Sequence, residues 1–117
     1  MTTSVNTVLN YNPGQLVTII FETINMAGVR SDGYGVLPSI TRIIFPNFAM
    51  ASGYPQNMTR IDVGLFFFQF TLPIGAYAVG TYIVDILWQQ PDTGDPQQTF
   101  IQVNVAAPYG QYSVSTT

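Results

Sequence analysis

The strongest constraint in this sequence is a two-residue rhythm. Bulky β-branched and aromatic side chains alternate with polar ones in run after run, and proline or glycine cuts each run at short intervals. Tyr82, Val84, Ile86 and Trp88 fall on one side of such a run, while Ile83, Asp85, Leu87 and Gln89 fall on the other. A period of two puts alternate side chains on opposite faces of a strand, and no segment offers the 3.6-residue period of a helix. The chain is therefore expected to be all-β.

Strand positions follow from the same alternation. After the turn Asn12-Pro13-Gly14-Gln15, Val17, Ile19 and Phe21 point one way and Leu16, Thr18, Ile20 and Glu22 the other, to an end near Ile24. Residues 25–35, with Gly28, Gly33 and Gly35, favour a loop. A strand from Ser39 to Phe45 is stopped by Pro46, which cannot donate to a ladder. Residues 58–61 pair with residues 65–72 through the short glycine-bearing connection Asp62-Val63-Gly64, and Pro73 ends that arm. The last hairpin joins residues 80–88 to residues 99–105 around a loop bracketed by Pro91 and Pro96, and its strands belong in the interior of a sheet.

With a short strand near residues 7–9, about seven strands in about a hundred residues predict one antiparallel immunoglobulin-like sandwich over residues 7–105. An N-terminal arm, residues 1–6, and a C-terminal tail, residues 106–117, fall outside it. Both are expected to be flexible unless a partner orders them. At 117 residues a single core suffices without disulfides or metal. Inside that core belong Phe66, Phe68 and Phe70, then Tyr82, Val84, Ile86 and Trp88, then Ile101, Val103 and Val105; Phe100, Gln102 and Asn104 face out, as do Asp85 and Gln89.

Charge excludes more than it assigns. The three bases, Arg30, Arg42 and Arg60, cannot form a phosphate-binding stripe, so nucleic-acid binding is not expected. The first six residues lack the basic region and apolar run of a secretory signal, and no apolar stretch reaches a membrane span. A soluble chain without its own export signal is the expectation. The absence of Cys, His and Lys removes thiol nucleophiles, the usual bases and Schiff-base formers. Asp92-Thr93-Gly94 matches the aspartic-protease triplet in residue type but lies between Pro91 and Pro96, the setting of a surface turn. Asp92 and Asp95 alone fall short of the roughly six to eight oxygens calcium takes. No catalytic, cofactor-binding or metal-ligating residue is expected, and no cofactor.

The order of turns and strand starts carries a resemblance. Tyr11-Asn12-Pro13-Gly14-Gln15, Leu37-Pro38-Ser39-Ile40, Phe45-Pro46-Asn47, the run from Met58 through Phe68, Phe70-Thr71-Leu72-Pro73, and Gly80-Thr81-Tyr82-Ile83-Val84 leading to Trp88 follow one another. In this the chain resembles the macroglobulin-like, immunoglobulin-like domains of tailed-bacteriophage structural proteins and bacterial surface proteins. The stretch from Pro38 to Pro46 is one residue longer than that pattern, which points to a bulge and leaves the facing of Ile40, Ile43 and Ile44 open.

With only 8% charged residues against 47% hydrophobic, the chain has little charge to keep copies apart. Six apolar residues assigned outward, Leu16, Ile20, Phe67, Ile83, Leu87 and Phe100, are the interface candidates. The resemblance implies a non-enzymatic virion protein, assembled in the host cytoplasm. It would decorate or cement the outer surface of a capsid by contacts with the major capsid protein or other virion subunits, or with itself as a dimer or trimer. The alternative is a surface adhesion or carbohydrate-binding module, with Tyr34, Tyr54, Tyr77, Tyr109 and Tyr112 as a stacking platform.

Overall fold

The computed structural model describes residues 7–32, 36–74 and 78–106, and these form a β-sandwich. The strands are β1 (Thr7–Tyr11), β2 (Leu16–Glu22), β3 (Ser39–Ile44), β4 (Gln56–Asn57), β5 (Thr59–Asp62), β6 (Leu65–Thr71), β7 (Gly80–Gln89) and β8 (Pro96–Val105). One sheet runs β1-β8-β7-β3-β4 and the other β2-β6-β5. As expected, β7 and β8 are interior strands.

The alternating residues meet between the sheets. Val17 and Ile19 on β2, Phe66 and Phe68 on β6, Tyr82, Val84 and Ile86 on β7, and Ile101, Val103 and Val105 on β8 form one buried cluster. Trp88 packs edge-on against Phe21, ring centroids 5.7 Å apart, and its indole N–H donates to Thr99 Oγ1 at 3.0 Å. The Tyr82 hydroxyl donates to the Ala78 carbonyl at 3.0 Å. That bond ties the start of β7 to the backbone four residues back.

Two expectations are corrected. The sandwich is not antiparallel throughout: β1 runs parallel to β8, Thr7 opposite Ile101 and Tyr11 opposite Val105. Asp85, assigned to the solvated face, is fully buried, because the Arg42 guanidinium folds over it and Nε–H donates to Oδ2. A register shift between Ile40 and Arg42 underlies this. It turns both Ile40 and Ile43 into the core, three residues apart, and leaves Arg42 opposite Asp85. The expected arms at residues 1–6 and 106–117 lie outside the described residues, apart from Ala106, whose N–H donates to the Tyr11 carbonyl at 3.2 Å.

Candidate interaction surface

Strand direction sorts the connections into two ends. At one end gather the β2–β3 loop, the Val63-Gly64 turn and the β7–β8 loop; at the other, the Asn12–Gln15 turn, the β3–β4 connection and the β6–β7 connection. No charged residue occurs in residues 7–21, 43–59, 63–84 or 96–106. Glu22, Arg30, Asp32, Arg60, Asp62, Asp92 and Asp95 therefore collect at the first end, and Arg42 and Asp85 lie midway along the sheet. The second end is charge-free.

The charged end is tied to itself. Asp32 Oδ1 accepts the Gly64 N–H at 2.8 Å, and Arg60 pairs with its carboxylate at 3.0 Å. The Arg60 guanidinium and the Gly64 amide together hold the Asp32 carboxyl below the ordinary value of 3.8. Asp92 Oδ2 accepts the Met26 N–H at 2.6 Å, so the triplet Asp92-Thr93-Gly94 works as a turn lashed to the neighbouring loop. Gly64 has φ +63, and a Cβ there would lie 2.6 Å from Ser31 N and 2.8 Å from Thr23 O, so only glycine fits where these segments close.

The charge-free end is open instead. Phe45 N–H donates to Ala49 O at 2.8 Å and Phe48 N–H to Phe45 O at 2.8 Å, closing a three-residue hairpin tip over Pro46, Asn47 and Phe48. Pro46 and Asn47 suit the two central positions of a type I turn, and the next residue must then turn left-handed, a place glycine usually fills. Here it is Phe48, with φ 68 and 86% of its surface exposed. The left-handed region costs a residue with a Cβ about 1 to 2 kcal/mol, and Phe48 recovers nothing by burial. Ile74 is 78% exposed and Met50 62%.

Beside the tip the two sheets part around an open pocket of about 430 Å³. Ile43, Phe45, Met50 and Tyr54 line one side, Phe70 and Pro73 the other. Phe45 is anchored by its ring on Tyr82, 5.6 Å between centroids, and Tyr54 by its ring on Phe68 at 6.0 Å. Burial pushes the Tyr54 phenol above its usual value of 10.0. The pocket falls within the range of roughly 300 to 1,000 Å³ typical of ligand sites, but its wall offers apolar contact rather than acid–base groups.

The six interface candidates do not form one surface. Leu16, Ile20 and Phe67 lie on the outer face of the three-stranded sheet, with Ile20 directly opposite Phe67. Ile83, Leu87 and Phe100 lie on the outer face of the five-stranded sheet, on the opposite side of the molecule. Leu16, Ile20 and Leu87 are exposed, whereas Phe67, Ile83 and Phe100 are half-buried. Sequence reasoning missed Phe48, Met50 and Ile74. The available signal was the long stretches without charge, but only the topology shows that they converge on one end.

Of the tyrosines considered for sugar stacking, Tyr54 is half-buried against Phe68, and Tyr34, Tyr77, Tyr109 and Tyr112 lie outside the described residues. No family model, curated protein or solved structure matches the chain.

Proposed function

We propose that this protein is a non-enzymatic assembly subunit that attaches to other protein subunits through its charge-free end. The observation that carries the reading is the coincidence, at that end, of exposed Phe48, Met50 and Ile74 with an open, mainly apolar pocket and no charged side chain. Exposed apolar surface of this kind is costly in water and marks protein contact surfaces. The charged end, which satisfies its own ion pairs, would then face solvent.

Within this reading, the resemblance to tailed-phage structural domains gives the specific form: a decoration or cement protein on the outer surface of a phage head, contacting the major capsid protein or other virion subunits. Attachment would stabilise a shell by burying area between subunits rather than by chemistry. Two measurements test it. Mass spectrometry of purified particles is expected to find the chain at a fixed ratio to the coat protein, and particles stripped of it are expected to lose integrity at lower temperature. Particles that lack the chain, or are indifferent to its removal, contradict the proposal.

A further inference from the structure

The extra residue in β3 gives that strand two ways to lie against β7. Ile40 stands opposite Ile86 and Arg42 opposite Asp85, so Thr41 has no partner of its own in the ladder. In the observed register Ile43 is buried and Phe45 packs its ring on Tyr82. Without the shift, pairing onward from Ile40 would set Thr41 opposite Asp85, Arg42 opposite Val84 and Ile43 opposite Ile83. Four side chains would then change face: Arg42 and Ile44 would enter the core, and Ile43 and Phe45 would leave it. We infer that the Arg42–Asp85 pair is a register lock, and that through it Ile43 and Phe45 come to stand in the pocket wall at the charge-free end. What that wall is for rests on the assembly reading above; the register itself does not.

Charge decides between the registers where apolar fit does not, because either one sends isoleucines inward. In the shifted register the Arg42 guanidinium would lie between the sheets beside Val84, in a cluster that contains no acid. Asp85 would keep its carboxylate with only a threonine across from it. Backbone pairing elsewhere leaves the choice open. β4 pairs only with Ser39 and Ile40, ahead of the extra residue. Beyond it, β3 meets its own returning chain, through Ala51 N–H to Ile43 O at 2.9 Å and the bridge between Ile44 and Met50, and that hairpin travels with the strand.

Asp85 instead holds β3 twice from the neighbouring strand. Its backbone carbonyl accepts the Thr41 hydroxyl at 3.3 Å, and its carboxylate accepts Arg42 Nε–H. As a stabiliser the pair is incomplete, since Asp85 Oδ1 is buried without a donor among the described residues. Its contribution is to make the other register costly, the role for which buried ion pairs and polar groups are best attested.

The test replaces the pair by apolar residues in the full chain and reads the register by NMR. Wild type is expected to give one set of β3 signals, with residue 44 in contact with residue 83. Arg42→Met with Asp85→Leu is expected to add a second set at roughly 10% or more of the first, the upper end of ordinary minor-state populations, in which residue 43 contacts residue 83 instead. Deleting Thr41 from this double variant leaves regular alternation to pair 42 with 85, and the second set should vanish. Loss of stability alone would not be reversed by a deletion. One native set in the double variant overturns the inference, as does a second set that survives the deletion. Deleting Thr41 from wild type gives a reading that does not depend on the double variant folding: the chain should fold with 42 opposite 85 and 44 opposite 83, and loss of the fold also overturns the inference. None of these results bears on whether the chain is present on purified particles, which decides the assembly reading separately.

Discussion

The two ends of the sandwich show opposite ways of finishing a β-protein. At the charged end, Arg30, Asp32, Arg60, Asp62 and Asp92 spend their polar groups on one another and on the backbone of Gly64 and Met26. At the charge-free end the backbone is equally well bonded around the tip, but the side chains it displays are Phe48, Met50 and Ile74. One end closes its polar groups on one another; the other joins exposed apolar side chains to a pocket without charge. The difference teaches where an interface belongs more clearly than overall hydrophobicity does, since exposed apolar residues occur at both ends and only one end combines them with a pocket and no charge.

Substitutions that disturb each end separately sharpen the contrast. The largest effect is expected at the closure of the charged end. Gly64→Ala combines left-handed strain with backbone overlap and should lower unfolding free energy by about 3 kcal/mol in urea denaturation; a loss below 1 kcal/mol would show that this end yields easily. Next comes the midline. Arg42→Met strands the buried Asp85 carboxylate and should cost about 2 kcal/mol, less than for a wholly buried pair because Arg42 is nearly half exposed. Adding Asp85→Leu should recover most of that loss, a coupling that a double-mutant cycle reads directly.

Smaller effects come from single hydrogen bonds. Tyr82→Phe leaves the buried Ala78 carbonyl without its donor and should cost about 1 kcal/mol without weakening association. Asp32→Asn tests the charged end through pH. Because the folded-state value of Asp32 is depressed, its stabilisation is fully present above the ordinary value of 3.8 and is lost as pH falls through the lower folded value. The melting-temperature gap between wild type and Asp32→Asn should therefore be open at neutral pH and close in strong acid. A gap independent of pH would mean that the Arg60 pair contributes nothing through charge.

Much of the fold was legible because a sandwich imposes a local rule: alternation alone sends Tyr82, Val84 and Ile86 inward and Ile83 and Leu87 outward. What was not legible depends on which strands become neighbours. Asp85 reads as a solvated residue until the bulge in β3 brings Arg42 across from it. The parallel pairing of β1 leaves no mark in a five-residue strand, since alternation is the same for either direction. At the candidate surface, Pro46 announced the end of a strand, but a left-handed aromatic two residues on contradicts ordinary turn chemistry. Leu16 and Ile20 were found as outward residues because strand faces are periodic; Phe48 and Ile74 lie in connections, where no period applies.

Methionine oxidation measures the central asymmetry directly, because the sequence supplies a probe at each end. Met26 stands 75% exposed at the charged end, Met50 62% exposed at the charge-free end, and Met58 is buried as an internal control. Mild peroxide treatment of the dispersed and the assembled protein, followed by peptide mass spectrometry, should show Met50 oxidation slowed several-fold on assembly, Met26 oxidation unchanged and Met58 protected throughout. Protection of Met26 with Met50 still reactive would put the contact at the wrong end of the molecule and contradict the account.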